Sequence, residues 1–337
     1  MKRVRSIITM KYQLIAIICF FVLFVSPKKV VAQDFLVSQP WSTNTTLGPS
    51  FAGLTGSRAF MAYRDQWSFM RGSQTLLAGF DHYYHPIQSS FGAVVAHSSY
   101  GGNLLTQTEL AFQYNYVAKI TDEWLFRPGI EFGPYYRAID PSKFMFIDQI
   151  ALDGTILPTS SFEPDETSVL RFDAAVSFLL YNEFFFIGAG ADRLMSNDVS
   201  FANTNTKTDL KFNAYMAGRI PMNRGMGKYA SYDDVTIAGL FQQQGLYQQM
   251  DLDVLYHRIP FELGIGYRGI PFVSPQGLSN TDALKLIFGY SFGDIVVSYS
   301  YDVSISSLFN VSGGSHELVL SYRFNQKNPN DVSFFCY

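Results

Sequence analysis

The chain has 337 residues, a formal net charge of −3, 47% hydrophobic and 16% aromatic residues, and two cysteines. No basic block follows the first few residues, which excludes nucleic acid as a partner on electrostatic grounds. Cys19 falls within the leader, so only Cys336 would remain after processing, and an internal disulfide or cysteine-based metal cage is excluded.

Lys2, Arg3, Arg5 and Lys11 precede an apolar run over residues 14–25, and polarity returns at Ser26. Val30-Val31-Ala32 places small residues where a signal peptidase reads, predicting cleavage between Ala32 and Gln33. The apolar run, about a dozen residues, is shorter than the ~20 that a spanning helix needs. Met10 is an equally good start, because Lys11 onward forms a complete signal peptide. Ile18 before Cys19 is bulkier than a lipid-attachment site accepts, so lipidation is not expected. The chain divides into a signal peptide (1–32), a periplasmic N-terminal segment (33–56), a β-barrel (57–325) and a C-terminal tail (326–337). No later run approaches ~18 apolar residues, so further insertion into a membrane must be by strands.

Between positions 57 and 325, about fourteen stretches alternate apolar and polar residues with period two, the pattern of a strand with one apolar face. Leu110, Phe112, Tyr114, Tyr116 and Ala118 oppose Glu109, Gln113, Asn115 and Lys119. Trp124, Phe126, Ile130, Phe132 and Tyr136 oppose Arg127, Glu131 and Arg137. Further on, Met250, Leu252, Val254 and Tyr256 oppose Gln249, Asp251, Asp253 and His257, while Phe261, Leu263, Ile265 and Tyr267 oppose Glu262 and Arg268. Leu284, Leu286, Phe288, Tyr290 and Phe292 oppose Lys285.

A soluble sandwich also alternates. Two features favour a membrane barrel. The stretches run to about ten residues, as tilted membrane strands do, against ~5–6 in soluble sheets. Charges of both signs sit in mid-strand on the polar face, where a wet or ion-paired lumen tolerates them; turned to lipid, a Lys or Arg there costs roughly 2–4 kcal/mol. The predicted fold is an all-β transmembrane antiparallel β-barrel of about fourteen strands with both termini in the periplasm. Connections near Thr121, Asn182 and Gly293 are tight, whereas 138–168, 196–206, 271–281 and 304–314 are long, which sorts turns and loops to opposite ends. The 221–232 connection and the tight turn near Gly245 break this sorting, so a strand miscounted between them is one reading.

Six motifs in order resemble the PorP/SprF family, outer-membrane proteins of Bacteroidetes associated with type IX secretion and gliding motility. Gln33-Asp34 with Ser38-Gln39 resembles the family's mature start, Leu47-Gly48-Pro49-Ser50-Phe51-Ala52-Gly53 its LNPAxAG stretch, and Tyr63-Arg64-Asp65-Gln66-Trp67 its YRNQW motif. Lys143-Phe144 with Asp148-Gln149-Ile150, Tyr301-Asp302 with Ser304-Ile305-Ser306, and Gly314-Ser315-His316-Glu317-Leu318 follow. Gly48 and Ser50 stand where the family has Asn and Ala, and Asp65 where it has Asn. The motif positions Tyr63, Arg64, Gln66, Trp67, Asp148, Gln149, Tyr301, Asp302, Ser315, His316 and Glu317 are candidates for partner contact or structure. From the residues alone, Arg64 reads as a lumen charge, Trp67 as an interfacial anchor and His316-Glu317 as a strand entry.

Reactive chemistry is not evident. Gly264-Ile265-Gly266-Tyr267-Arg268-Gly269 fits a dinucleotide pattern, but alternation continues through it and Pro271 follows, so no helix can begin there to hold phosphate. The glycines are expected instead to relieve crowding in a lumen-facing row. His82 and His85 are three apart, which places them on opposite faces of a strand, and Ser98 beside His97 cannot converge with it. No catalytic residue, cofactor or metal site is expected, and no enzymatic activity. The resemblance implies an accessory of type IX secretion that contacts outer-membrane lipid, anchors or assists surface delivery of a secreted adhesin or cargo C-terminal domain, and links to periplasmic components. The alternative is a porin-like channel for small solutes.

Overall fold

The computed structural model describes residues 35–324 except 71, 146, 151–154, 157–159, 161–165, 202–206, 225–231, 246, 271–279 and 307–308. The expected signal peptide, the cleavage site at Ala32 and Gln33, and the C-terminal tail lie outside the described residues.

Fourteen antiparallel strands close into a barrel: β1 (Ser57–Gln66), β2 (Ser73–Tyr84), β3 (Ser89–Tyr100), β4 (Leu105–Tyr116), β5 (Leu125–Ile139), β6 (Ser168–Tyr181) and β7 (Phe185–Asp192). The second half is β8 (Lys211–Arg224), β9 (Tyr232–Gln244), β10 (Tyr247–Arg258), β11 (Phe261–Ile270), β12 (Asn280–Phe292), β13 (Ile295–Ser304) and β14 (Ser315–Phe324). A short piece, Ala118–Lys119, continues β4 along the same partner, β5. Each strand pairs with its sequence neighbour, and β1 pairs with β14 from Ser57↔Phe324 to Gln66↔Ser315, which closes the ring. Closure leaves no edge strand with unpaired backbone groups, the condition for a sheet to cross a bilayer.

The two faces follow the sequence alternation. Phe132, Phe172, Ile265 and Phe292 are each about 60% exposed on the outer wall, amid many other exposed apolar side chains. An apolar surface of this extent is covered by lipid. Rings cluster near one rim, with Phe261–Tyr290, Tyr290–Phe292 and Tyr322–Phe324 centroids 5.2, 4.3 and 4.5 Å apart, as an interfacial aromatic belt requires. Arg127, Arg137, Asp251, Asp253, Arg268, Lys285, Asp302 and Glu317 point inward and are buried.

Tight connections after β6, β10 and β12 fall at one end, here the turn end, where β1 begins and β14 finishes. The long connections after β5, β7, β11 and β13 fall at the other, the loop end. The two exceptions to the sorting are genuine. β8 and β9 pair along almost their whole length, and β9 and β10 are joined across Gly245, so no strand is missing between them.

Residues 33–56, expected as a separate periplasmic stretch, are from Ser38 onward folded inside the barrel. Ser38, Thr43, Ser50, Phe51 and Ala52 have no accessible surface. This segment, the strap, runs from the loop-end half of the lumen to the turn end, where it becomes β1. It explains an irregularity of the wall. The inner faces of β6 to β10 carry apolar Leu179, Phe186, Tyr215, Ala217, Ala238, Leu240 and Leu255, which form one core with Trp41, Leu47, Phe51 and Leu54 of the strap. A water-filled lumen would not tolerate that surface; a packed one does. Fully burying side chains such as Phe51 and Leu47 contributes roughly 1.5–3 kcal/mol each.

A lumenal charge network that holds the strap

The loop-end half of the strap lies on a network spread over β10 to β14 and β1. Register sets its framework. Arg64 of β1 sits opposite Glu317 of β14, Arg268 of β11 opposite Asp251 of β10, and Lys285 of β12 opposite Asp302 of β13. Gly266 of β11 faces Asp253 on one side and Lys285 on the other. A Cβ at Gly266 would lie 2.0 Å from Asp253 Oδ1 and 2.6 Å from Lys285 Cε. Its missing side chain therefore lets Lys285 reach across a strand to Asp253, at 2.7 Å, as well as to Asp251 at 2.9 Å. Crowding relief in a lumen row, expected of these glycines, is what Gly266 supplies.

Around this framework the strap is gripped by its main chain. Glu317 accepts from Ser38 N at 2.6 Å and Gln39 N at 2.9 Å. Arg268 Nη2 donates to Val37 O at 2.6 Å and Nη1 to Asp302 Oδ2 at 3.1 Å. Ser38 Oγ donates to Asp302 Oδ2 at 2.6 Å, and Arg64 donates to Ser38 Oγ and to Asp302 Oδ2, the latter at 3.0 Å. Trp41 Nε1 donates to Asp253 Oδ2 at 2.9 Å. Three cations thus face four carboxylates, all nearly solvent-free. Charges this buried contribute only when paired and hydrogen-bonded, and breaking one pair leaves an uncompensated charge.

A second set of contacts fixes the turn-end half. Asn115 Nδ2 donates to Pro49 O at 2.8 Å and Ala52 O at 2.9 Å, and Arg127 Nη2 donates to Ala52 O at 2.6 Å. Ser50 N donates to Ser177 Oγ at 2.8 Å, and Gly53 N to Asp81 Oδ1 at 3.0 Å. Arg58, paired with Asp81 at 3.1 Å, donates to Ser42 O at 2.9 Å. The strap backbone lies directly on Gly129, where a Cβ would come within 2.6 Å of Ser50 N. Beside the strap, a cavity of about 90 Å³ is lined by Thr45, Glu109, Glu131, Asp173, Asp192 and Arg193. Arg193 pairs there with Glu109 and, at 3.3 Å, with Asp173.

Of the motif residues read from sequence, Arg64, Asp302 and Glu317 converge on the strap, and Ser315 is buried beside them, opposite both Gln66 and Asp302. Their odd-numbered or even-numbered neighbours point the other way. Tyr63 is on the outer wall between Leu318 and Leu76. His316 is likewise outside, its Nδ1 2.6 Å from Tyr299 Oη and its ring 4.8 Å from that of Tyr301. Gln66 ends β1, and Trp67, at φ 56°, turns the chain and donates its N–H to Gly314 O at 2.9 Å. Asp148 and Gln149 lie apart in a single turn (Ile147–Gln149) of the long β5–β6 loop, where Asp148 Oδ1 accepts from Ser160 Oγ at 2.6 Å. Asp251, Asp253, Arg268 and Lys285 were legible as an inward charged row but not as one site, since their convergence depends on register. Arg193, in a loop, had no periodic signal.

Comparison with known proteins gives the following. No functionally curated protein matches the chain. A mutant of the Rhodopseudomonas blastica porin is similar at 10% identity, covering 80% of this chain and 98% of its own, with a TM-score of 0.35. The KdgM porin is similar at 9% identity, covering 80% of this chain and 99% of its own, with a TM-score of 0.34. The family model for type IX secretion system membrane protein PorP/SprF matches residues 30–322, and the chain belongs to that family of outer-membrane barrels.

Proposed function

We propose that the protein is a closed, non-enzymatic anchor of the type IX secretion system, which assists surface delivery of a secreted adhesin or cargo protein and links it to periplasmic components. The observation that carries this reading is the convergence of Ser38, Arg64, Asp302 and Glu317, from four separated motifs, on a strap that fills the lumen. Sequence spent on holding a plug makes a rigid body rather than a pore. The inward charges at Arg64, Asp253, Arg268, Lys285, Asp302 and Glu317, which would guide a solute, are engaged by the strap instead, which disfavours the channel alternative.

The loop end supports the partner side of the reading. Phe69 is 81% exposed in the β1–β2 connection, and Met145, Ile150 and Ile156 of the β5–β6 loop and Met195 of the β7–β8 loop are each more than half exposed. Exposed apolar side chains in loops beyond the membrane wall suit a protein partner. Lipid contact falls to the outer wall.

The test is deletion of this protein in its native cell, followed by surface labelling of an adhesin exported by the type IX system. The adhesin is expected to be lost from the surface and to accumulate inside or in the medium. An adhesin that still reached and stayed on the surface would remove the assignment.

A further inference from the structure

We propose that the charged seat around Glu317 is a peptide-binding site, filled in this structure by the chain's own residues 37–41, which an extended segment of a separate polypeptide exchanges with. Three observations carry the inference.

First, the seat reads main chain. Glu317 takes two consecutive N–H groups, from Ser38 and Gln39, while Arg268 and Lys285 donate to the carbonyls of Val37 and Ser38. Three side chains of the strap are also bound, the hydroxyl of Ser38 by Asp302, the amide of Gln39 by Ser300 and the indole N–H of Trp41 by Asp253. The ligand chemistry follows: two successive free N–H groups, a hydroxyl on the first residue, an amide on the second and an indole three positions on from the first.

Second, the strap is held by two different kinds of force. Its turn-end half is buried through Leu47, Phe51 and Leu54 in the apolar core, with Phe51 4.8 Å from the Tyr215 ring and 5.8 Å from that of Phe186. Its loop-end half rests mainly on polar contacts: Phe35 and Val37 are only half buried against Phe60, Leu77 and Val319, and the Trp41 ring, 5.9 Å from that of Phe186, marks where the core begins. The polar half is therefore able to leave while the apolar half stays anchored, because a competing peptide restores its hydrogen bonds but not the core.

Third, the seat and its present occupant do not match fully. Arg64 Nε, Asp302 Oδ1 and Gln39 Oε1 are buried without a hydrogen-bond partner among the described residues. Buried polar groups are nearly always paired, so a contact with two unmet atoms in the seat and one on the strap is poised for a better-matched ligand. It lies in the loop-end half of the lumen. Such a site is independent of the delivery role, and its test is done in vitro.

The test uses the mature chain in lipid nanodiscs and a fluorescent peptide with the sequence of residues 35–42, followed by anisotropy. Trp41→Ala loosens the strap and leaves the wall unchanged; this variant is expected to bind the peptide at least ten-fold more tightly than the unaltered chain. Adding Glu317→Gln, in a barrel that still migrates as folded, is expected to weaken that binding at least ten-fold, because an amide offers one acceptor oxygen in place of two. A Trp41→Ala barrel that migrates as folded on an unheated gel yet binds no peptide, or binds it regardless of Glu317, overturns the proposal. Should Trp41→Ala not fold, Trp41→Phe replaces it, since it keeps a ring in the core and loses the N–H that Asp253 accepts. Tighter peptide binding by this folded variant than by the unaltered chain supports exchange; equal binding, or none, overturns it.

Discussion

Glu317 accepts the backbone N–H of Ser38 at 2.6 Å, across 279 positions of sequence, and so ties the last strand of the barrel to the segment that precedes the first. Through Arg64, 3.6 Å from the same carboxylate, the contact spans the β14–β1 seam at which the barrel closes. The strap is therefore seated on both sides of the seam at this corner of the structure.

Glu317→Gln is expected to destabilise the folded barrel by about 3–5 kcal/mol, the usual cost of removing one partner from a buried charge pair. The measurement is the temperature at which the heat-modifiable, compact form is lost on a gel. A midpoint unchanged from the parent would mean that the carboxylate does not hold the strap.

Gly266→Ala and Gly218→Ala make a matched pair. The first places a methyl on Asp253 and Lys285, whereas a Cβ at Gly218 meets nothing within 4 Å. Gly266→Ala is expected to cost about 1–3 kcal/mol by overpacking and Gly218→Ala close to nothing. Equal unfolding midpoints in denaturant for the two variants would contradict the role assigned to Gly266.

How far these relationships were legible beforehand can be followed in particular residues. Alternation placed Arg127, Asp251, Arg268 and Lys285 on one face and Phe132, Ile265 and Leu286 on the other, because a period of two needs no knowledge of partners. It also showed that the GxGxxG run at 264–269 stays a strand. It could not show that Asp253 and Lys285 meet over Gly266, since that follows from pairing register across three strands. Nor could it place Ser38 and Trp41 inside: the strap has no regular periodicity, and its short turns (Asn44–Leu47 and Pro49–Phe51) have meaning only against the wall. The apolar inner faces of β6 to β10 were the missed clue. Leu179, Phe186 and Leu240 share strands with apolar outward residues, and a segment apolar on both sides requires a covered interior.

Phe51→Ala is expected to cost about 3–5 kcal/mol, as for other buried Phe truncations, by opening a cavity between Phe186 and Tyr215. Thermal unfolding measures it. A loss below about 1 kcal/mol would show that the strap core is not packed as described.

At the loop end, Phe69→Ser combined with Met145→Ser is expected to leave barrel stability unchanged, as both side chains are well exposed. Binding of the exported partner is expected to fall about ten-fold or more, the scale of losing apolar anchors at an interface. Pull-down of the adhesin from cells carrying the double variant tests this, and undiminished recovery would move the partner surface elsewhere.

Ion conductance through a planar bilayer reads whether the N-terminal strap closes the barrel. No discrete current steps are expected from the unaltered mature protein, and open-pore steps are expected from a folded variant lacking residues 35–54. Stable open-channel steps from the unaltered protein would show that the strap leaves the lumen open.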